Sequence, residues 1–360
     1  MINDFKFTVL KKSKKHNGRA GVLHTPHGDI RTPIFMPVGT LGSVKTLMPE
    51  MLLSEGVEII LANTYHLFLR PGMELMKQSG GLHQFMNWHK PLLTDSGGFQ
   101  IFSLGNLNKI DEDGVTFQSH LDGASFRLTP EKVIEIQQII GADIIMPLDE
   151  CLPIGVSKEK TRESLQLTSR WAKRCRNYLR DNPSRHRQVL FGIIQGGMFP
   201  ELRKESAEQL LELDFFGYAI GGLSVGEERN QLYDLIPQTV QYIPEEKPRY
   251  LMGVGAPEDL DVAIDSGIDM FDCVLPTRLA RHGSVLSKEG SYSIKTKINE
   301  YDISPLDNSC DCYACRNYSK EYIRNLYRNK EMQAMSLLSI HNIRFLINLV
   351  KRKRQDILDE

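Results

Sequence analysis

Two aspartates that follow short apolar segments are the residues best suited to chemistry in this sequence. The first is Asp95 in Pro91-Leu-Leu-Thr-Asp-Ser-Gly-Gly-Phe-Gln100, and the second is Asp272 in Gly267-Ile-Asp-Met-Phe-Asp-Cys-Val-Leu-Pro-Thr-Arg278. A carboxylate just beyond a strand lies at the C-terminal edge of a sheet, where α/β enzymes assemble their active sites. Two such groups suit displacement at a sugar carbon, one as nucleophile and the other transferring protons. A single aspartate in this position usually caps the following helix, so the assignment depends on the rest of the chain.

The composition is that of an ordinary globular protein. The 360 residues are 41% hydrophobic and 25% charged, enough for one large α/β barrel or two average domains. No apolar stretch approaches the roughly 20 residues that cross a bilayer, and the N-terminus has no secretory signal, so we expect a cytoplasmic protein without membrane contact. The net charge of −1 gives no argument for a nucleic-acid partner. The basic clusters at 11–15 and 351–354 are typical of solvated surface.

Three of the six cysteines crowd into Cys310-Asp-Cys312-Tyr-Ala-Cys315, and His341 follows on a predicted helix. Thiolates at this spacing with a distant histidine are typical of a tetrahedral zinc site. Three adjacent cysteines cannot all form disulfides, and a reducing cytosol would not maintain them. The sequence therefore predicts one structural zinc with no open coordination position. For the remaining cysteines we expect a role as small buried apolar residues; these are Cys151, Cys175 and Cys273.

Eight strand-like segments, most of them separated by helical ones, must position these side chains. This alternation predicts a (β/α)₈ TIM-type barrel in preference to an open doubly wound sheet. The predicted strands are 33–38, 58–62, 91–94, 143–148, 189–194, 217–220, 249–252 and 268–271. The predicted helices are 131–140, 157–180, 200–213, 229–242 and 257–266. The insertion at 103–130 differs, because Asp122-Gly123 between two alternating segments indicates a hairpin.

The pattern changes after the eighth predicted strand. Residues 283–315 have the character of short strands and loops that end in the cysteine cluster, and 317–356 are predicted to be helical. We therefore predict a catalytic barrel over 1–282, a zinc-binding subdomain over 283–345 and the end of a C-terminal helix over 346–360.

Polar residues and glycines end most of the predicted barrel strands. Asp149 and Gln195 can offer an acceptor and a donor to the edge of a flat heterocycle. Gly221-Gly222 lets a ligand approach bare backbone, and Phe99 can stack on a ring. The chain has no HExxH motif, no P-loop and no dinucleotide-binding GxGxxG unit. These features favour a barrel that binds a planar ring and holds two carboxylates near a glycosidic carbon.

Four motifs together resemble the bacterial tRNA-guanine transglycosylases, and the similarity extends from about Phe7 to Val350. The motifs are Thr94-Asp-Ser-Gly-Gly-Phe-Gln100, Gly221-Gly-Leu-Ser-Val-Gly-Glu227, Asp269-Met-Phe-Asp-Cys-Val-Leu-Pro-Thr-Arg278 and the zinc quartet. The resemblance implies exchange of guanine at wobble position 34 of tRNAs with GUN anticodons (Tyr, His, Asp and Asn) for preQ1, a 7-aminomethyl-7-deazaguanine. This exchange is a step of queuosine biosynthesis. It also implies a covalent enzyme–tRNA intermediate, no cofactor besides zinc, and a homodimer for which 46–69 is a candidate surface.

The resemblance also assigns roles to single residues. It implies that Asp272 is the nucleophile at C1′ of the nucleotide and that Asp95 is the general acid/base, which deprotonates the incoming base. The implied contacts with the base are edge recognition by Asp149, Gln195 and the Gly222 amide, binding of the aminomethyl group by the Leu223 carbonyl with support from Glu227, and stacking between Phe99 and Met252.

Four further positions bear on base and tRNA specificity by the same resemblance. Val225 and Cys151 are similar to the preQ1-using bacterial type, in which a bulkier pocket wall excludes the cyclopentenediol of queuine. Arg278 and Arg281 correspond to the family's contacts with the anticodon loop. His282 departs from the asparagine that many relatives have there, which leaves the details of tRNA contact open.

Two other functions fit parts of the pattern. A non-catalytic tRNA-binding paralogue would share the fold, but such a protein is expected to lose the nucleophile, and both aspartates are present here. A glycoside hydrolase on a similar barrel would need a carbohydrate cleft rich in aromatic residues, and two tryptophans in the whole chain do little to suggest one.

Overall fold

The computed structural model describes residues 4–104, 109–224 and 226–360. In chain order, the strands of this part of the chain are β1 (Lys6–Lys12), β2 (Arg19–Thr25), β3 (Gly28–Thr32), β4 (Ile34–Gly39), β5 (Ile60–Ala62), β6 (Leu92–Thr94), β7 (Lys109–Asp111), β8 (Gly114–Gln118), β9 (Ser125–Leu128), β10 (Ile144–Ile145), β11 (Val189–Ile194), β12 (Gly217–Ile220), β13 (Arg249–Leu251), β14 (Met270–Cys273), β15 (Ser284–Val285) and β16 (Tyr292–Ser293).

The helices of the same described ranges follow the same numbering. They are α1 (Pro49–Ser54), α2 (Thr64–Leu69), α3 (Met73–Gln78), α4 (Leu82–Phe85), α5 (Gly98–Leu104), α6 (Pro130–Ile140), α7 (Lys158–Asp181), α8 (Pro200–Leu211), α9 (Arg229–Val240), α10 (Pro257–Asp265), α11 (Leu275–Arg281), α12 (Tyr313–Asn317), α13 (Lys320–Arg328) and α14 (Met332–Asp359), with a 3₁₀ turn at Lys297–Asn299.

The strands β4, β5, β6, β10, β11, β12, β13 and β14 form a closed barrel in this order, and β14 pairs with β4 to complete it. Every neighbouring pair in this barrel is parallel. The (β/α)₈ prediction is therefore confirmed, and each of the eight predicted strands is present. The last strand runs two residues further than predicted, so Asp272 lies within β14 and not beyond it.

Alternating side chains divide the apolar core into two layers. On β4, Ile34 and Met36 point into the barrel, where they pack with Leu93 and Phe191. Phe35, between them, joins the layer that separates the strands from the surrounding helices. Parallel strands buried on both faces carry near-continuous apolar segments, which is why these strands were recognisable in the sequence.

Helix starts follow the capping rules. The Thr129 hydroxyl accepts the Lys132 N–H at 3.2 Å at the start of α6, and the Ser157 hydroxyl accepts the Lys160 N–H at 3.3 Å at the start of α7. Each bond satisfies a backbone donor that the helix itself leaves unpaired. All five predicted helices are present within two residues of their predicted bounds.

Within the described ranges, two three-stranded antiparallel sheets lie outside the barrel. The β8–β9 hairpin around Asp122-Gly123 is confirmed, with β7 added to its edge. The sheet β1–β2–β3 was not predicted. Its residues Leu23 and Ile30 are fully buried in the same cluster as the inward-facing side chains of the barrel, so this sheet covers one end of the barrel.

The region after β14 contains the short hairpin β15–β16 and the helices α12 to α14. Helix α14 is continuous from Met332 to Asp359 and packs against α11, α12 and α13 as well as β2, β4 and α10. The division at 345 stays a prediction, and it falls inside this one helix. Among the described residues, no helix combines the length and apolar composition needed to span a membrane.

Candidate active site

A cavity of about 360 Å³ opens at the C-terminal ends of the barrel strands. Residues at or just beyond the ends of all eight barrel strands line it, as expected for a site on this fold. The residues singled out from the sequence that line this cavity include Asp95, Phe99, Asp149, Cys151, Gln195, Gly221, Gly222, Leu223, Met252, Asp272 and Cys273. Cys151 and Cys273 are partly exposed, so the expectation that they are buried apolar residues is wrong for these two.

Asp272 lies near the end of β14 with 9% of its surface exposed. Its Oδ1 accepts the Tyr250 hydroxyl at 2.5 Å and the Gly253 N–H at 2.8 Å. Burial raises the pKa of Asp272, whereas these two hydrogen bonds lower it. Within the described part of the chain, both hydrogen bonds go to Oδ1, and together they fix the orientation of the carboxylate and hence the position of Oδ2.

Asp95 follows β6 and is held by α2 of the neighbouring βα unit. Its Oδ2 accepts the Asn63 amide at 2.6 Å, and its Oδ1 accepts the Thr64 N–H at 2.7 Å. Burial raises the pKa of Asp95 to about 6, and the negative charge of Asp272 contributes to the increase. A carboxyl group that titrates near neutrality can both give and take a proton at physiological pH.

Asp149 and Gln195 form a hydrogen-bonded pair beyond the neighbouring strands β10 and β11. Gln195 Nε2 donates to Asp149 Oδ2 at 2.7 Å, and the Ser96 hydroxyl donates to Oδ1 at 3.1 Å. Burial raises the pKa of Asp149 to about 6. The pair is therefore a fixed acceptor and donor at the edge of the cavity, the arrangement that reads a nucleobase edge.

The loop after β12 brings backbone groups to the same cavity. Gly222 has φ of +65°, and a Cβ there would lie 2.5 Å from Oε1 of Gln195. Glu227 accepts the N–H of Ser224. Because the C=O and N–H of a trans peptide point in opposite directions, the Leu223 carbonyl points away from Glu227. Glu227 thus lies behind the loop, outside the residues that line the cavity, and orients a peptide that lines it.

Phe99 and Met252 lie at the mouth of the cavity. Phe99 is 52% exposed, a large value for an aromatic side chain, and Met252 is half-buried. An exposed ring beside a buried polar edge is suited to stacking on a planar ligand. Val225, which the sequence analysis connected with base specificity, lies outside the described residues.

Arg278, Arg281 and His282 do not line the cavity. They lie exposed on and just after α11, the helix that follows Asp272. Nδ1 of His282 lies 2.8 Å from the carbonyl oxygen of Arg278, so the His282 side chain contacts the last turn of α11. These three side chains therefore lie beside the cavity, on the surface that a ligand too large for it would contact.

Three residues with structural roles in the site were given no role from the sequence. Tyr250 and Asn63 hold the two carboxylates, and Arg203 contacts the loop after β12 from behind. Tyr250 could have been found by alternation, because its place in β13 directs it into the barrel. Arg203 carries no comparable signal, since it looks like an ordinary surface residue of an amphipathic helix.

The predicted metal quartet is assembled as expected. The ligand atoms of Cys310, Cys312, Cys315 and His341 lie within 4.8 Å of one another. Nδ1 of His341 is 3.3 Å from the Cys315 sulfur and 3.8 Å from that of Cys312, close to the separation of about 3.6 Å in a tetrahedral zinc site. Its Nε2 lies 2.8 Å from the Leu286 carbonyl, which fixes the tautomer that leaves Nδ1 as the ligand. These residues fit one metal ion.

A second cluster, at the opposite end of the barrel, was not predicted. Asp143 accepts from His27 at 2.7 Å and lies 3.4 Å from Nε2 of His83. The two imidazole rings are stacked with centroids 3.7 Å apart and an angle of 19° between them. The lone pairs of nearly parallel rings lie in separate, nearly parallel planes, so both cannot point directly at one ion. This geometry favours an acid–base cluster, in which a hydrogen bond to Asp143 raises the pKa of His27.

Comparison with known proteins gives consistent results over the whole chain. The family model described as "Queuine tRNA-ribosyltransferase" matches residues 13–360. The chain is 55% identical over 351 residues to the queuine tRNA-ribosyltransferase of Dictyoglomus turgidum, covering 98% of this chain and 90% of the relative. It is 53% identical over 352 residues to that of Thermoanaerobacter pseudethanolicus, with 98% and 93% covered. It is 52% identical over 359 residues to the queuine tRNA-ribosyltransferase of Acetivibrio thermocellus, covering 100% of this chain and 95% of the relative.

Proposed function

Since the chain belongs to the queuine tRNA-ribosyltransferase family, we propose that it exchanges guanine at wobble position 34 of tRNAs with GUN anticodons for preQ1. The enzyme is a pentosyltransferase, a tRNA-guanine transglycosylase of queuosine synthesis. The observation that carries the finer proposal is that two buried carboxylates with different hydrogen-bond environments, Asp272 and Asp95, line one cavity.

In the proposed first step, Asp272 attacks C1′ of nucleotide 34. A carboxylate oxygen forms a bond to C1′ while the bond between C1′ and N9 of guanine breaks, and guanine leaves with the electron pair. The hydrogen bonds from Tyr250 and Gly253 support this role, because they hold Oδ1 and thereby direct the other oxygen. Preorganised orientation of this kind lowers the entropic part of the barrier.

Asp95 handles protons in the same scheme. It gives a proton to the departing guanine and takes one from N9 of incoming preQ1, whose nitrogen then attacks C1′ and releases Asp272. A pKa of about 6 supports both directions, because neither protonation state is strongly disfavoured at neutral pH. The exchange conserves the number of glycosidic bonds, so it needs no ATP and no redox cofactor.

The base-binding part of the proposal depends on the other walls of the cavity. Asp149, Gln195 and the Gly222 amide read the purine-like edge, and Phe99 and Met252 enclose the ring. The Leu223 carbonyl accepts the aminomethyl group of preQ1. The contact between Glu227 and the Ser224 N–H supports this last role, since it turns that carbonyl away from Glu227.

We propose tRNA-Tyr, tRNA-His, tRNA-Asp and tRNA-Asn as substrates, bound through their anticodon loops in a cytoplasmic setting. The exposed Arg278 and Arg281 are suited to phosphate contacts next to the cavity. A loop nucleotide is unpaired, so extruding its base costs least there. A homodimer with contacts in 46–69 is part of the proposal; exposed apolar side chains at Met48 and Leu53 in that segment support it.

We further propose that the metal of the Cys310, Cys312, Cys315 and His341 quartet is one structural zinc ion. Three thiolates and an imidazole are the donor set that zinc prefers, and four protein ligands leave no position for a substrate. When bound, the ion would fix the loop after β16 to helix α14. No catalytic step depends on it.

The first experiment is exchange of labelled guanine into an unmodified tRNA-Tyr transcript by wild type, Asp272→Asn and the surface control Asp234→Asn. We expect incorporation at position 34 by wild type and the control, and none by Asp272→Asn. A denaturing gel should show a covalent protein–tRNA band for wild type and Asp234→Asn and no such band for Asp272→Asn. A folded, metal-loaded wild type that binds tRNA without exchange would instead indicate a non-catalytic tRNA-binding protein.

A further inference from the structure

Arg203 is the most deeply buried cation near the cavity, and the reaction scheme above gives it no role. It lies on α8 with 1% of its surface exposed. Its Nε donates to the Gly197 carbonyl at 2.9 Å, and both terminal nitrogens lie 3.2 Å from the Gly221 carbonyl. One of them also reaches the Gly222 carbonyl at 3.5 Å. The guanidinium thus joins the loops after β11 and β12 from the side opposite the ligand.

These contacts fix the backbone that faces the base. The carbonyls of Gly221 and Gly222 point toward Arg203, and since peptide groups are antiparallel in their C=O and N–H directions, the N–H groups that follow point the other way. Gly222 has a positive φ. Because glycine adopts positive and negative φ about equally readily, the loop has little intrinsic preference for the observed conformation. Arg203 supplies the external bonds that select it.

Arg203 also places a positive charge behind the loop. Burial lowers the pKa of Arg203 to about 10, and the carboxylate of Glu227 raises it. The group therefore stays protonated at neutral pH, and its charge and that of Glu227 act on each other across the loop. The cavity side of this loop is where the aminomethyl group of preQ1 would bind. That group is a primary amine, cationic at neutral pH, whereas guanine is neutral.

We propose that Arg203 is a positioning residue that sets base specificity, holding the Gly221–Gly222 backbone toward the base and offsetting the charge of Glu227 so that neutral guanine and cationic preQ1 are both bound. This inference rests on the proposed function. Without the positive charge, the field of Glu227 favours the cation more strongly. Without the hydrogen bonds, the loop binds both bases less well. The two contributions are separable, because a lysine keeps the charge and a glutamine keeps a donor.

The test compares Arg203→Gln and Arg203→Lys in steady-state exchange with labelled guanine and with preQ1. For Arg203→Gln we expect the ratio of KM for guanine to KM for preQ1 to rise by about tenfold, with kcat changed much less. For Arg203→Lys we expect both KM values to rise together and the ratio to stay within about twofold of wild type. A ratio unchanged in Arg203→Gln, or changed equally in both variants, would overturn the electrostatic role.

A double-mutant cycle with Glu227→Gln keeps the proposal testable even if one arginine variant is poorly folded. Glu227→Gln alone should lower the ratio, and the double variant should return it toward the wild-type value, because the two charges are removed together. A double variant whose ratio stayed as high as that of Arg203→Gln alone would contradict this offset of the two charges. A wild type that exchanges neither base would count against the proposed function itself, which is a different result from an unchanged ratio.

Discussion

The Tyr250 hydroxyl lies 2.5 Å from Oδ1 of Asp272, so the proposed nucleophile is held by a side chain from the neighbouring strand. Tyr250 is itself fully buried, and burial together with the Asp272 charge raises its pKa well above the usual value. It therefore stays a proton donor at neutral pH. This contact links orientation of the carboxylate to its ionisation.

Tyr250→Phe removes this donor and should raise the pKa of Asp272, because the hydrogen bond favours the ionised carboxylate. We expect kcat/KM for guanine exchange to fall about tenfold at pH 7, with a larger loss at pH 6 than at pH 9. The pH–rate profile measures this. Tyr218→Phe is the matched control, since Tyr218 is a buried tyrosine of β12 that bonds to the Phe215 N–H outside the cavity. A profile displaced equally in both variants would contradict the assignment.

Asp95→Asn should stabilise the protein in a pH-dependent way. The pKa of Asp95 is about 6 when folded against 3.8 in the reference state, so its contribution to stability is present below pH 3.8 and is lost as pH rises through 6. A difference of this size corresponds to at most about 3 kcal/mol. We expect a higher Tm than wild type at pH 8, little difference at pH 3.5, and loss of base exchange.

Thermal unfolding across this pH range tests the effect, with Asp234→Asn on the exposed face of α9 as control. A gain in Tm for Asp95→Asn that is the same at pH 3.5 and pH 8 would show that ionisation of Asp95 is not its cause. A gain in Tm at pH 8 alone would show that the ionised Asp95 carboxylate, which the proposed chemistry needs, destabilises the fold.

Gly222→Ala should weaken base binding more than Gly123→Ala, although both substitutions place an alanine at a positive φ. A Cβ at Gly222 would meet Oε1 of Gln195 at 2.5 Å, whereas one at Gly123 would meet nothing within 4 Å, and both residues have positive φ. We expect the KM for guanine to rise about tenfold or more in Gly222→Ala and to stay unchanged in Gly123→Ala. Similar KM values in the two variants would argue against a base-reading role for Gly222.

Cys312→Ser should remove the metal and destabilise the protein. Cys312 is fully buried beside His341, and loss of one ligand of four lowers zinc affinity while leaving polar groups in an apolar setting. We expect one zinc per chain in wild type and in the control Cys175→Ala, well under one in Cys312→Ser, and a Tm lower than that of Cys175→Ala. Metal analysis after dialysis, together with thermal unfolding, checks this. One tightly held zinc in Cys312→Ser would exclude the quartet as its site.

The barrel was predictable because its strands and helices carry local signals. The segment 189–194 is apolar on both faces, and the capping residues Thr129 and Ser157 mark helix starts within the sequence. The carboxylates were predictable for the same reason, since each follows or ends such a strand. Resemblance to a family then supplied roles that spacing alone does not.

The remainder depended on contacts between distant residues. Strand β2, which was not predicted, contains Arg19. This side chain is only 2% exposed because Asp269, 250 residues away, accepts hydrogen bonds from it at 2.5 and 3.0 Å. Arg203 was missed for the same reason, because its partners are backbone carbonyls in the loops after β11 and β12. Charged residues buried by long-range pairing leave no periodic signal in a sequence.

Helix α14 makes contacts at two distant parts of the molecule. Its first half carries His341 of the metal quartet, and near its other end Arg354 donates to the carbonyls of Gly21 and Thr32 in the N-terminal sheet. Glu360, just past the helix, accepts hydrogen bonds from Ser13 and Lys14. Through this helix the metal quartet is connected to the N-terminal sheet, so we expect loss of the metal to weaken the barrel as well. Chelation is then expected to give a single transition at lower temperature, and excising residues 283–360 should leave a fragment whose first strands have lost their support.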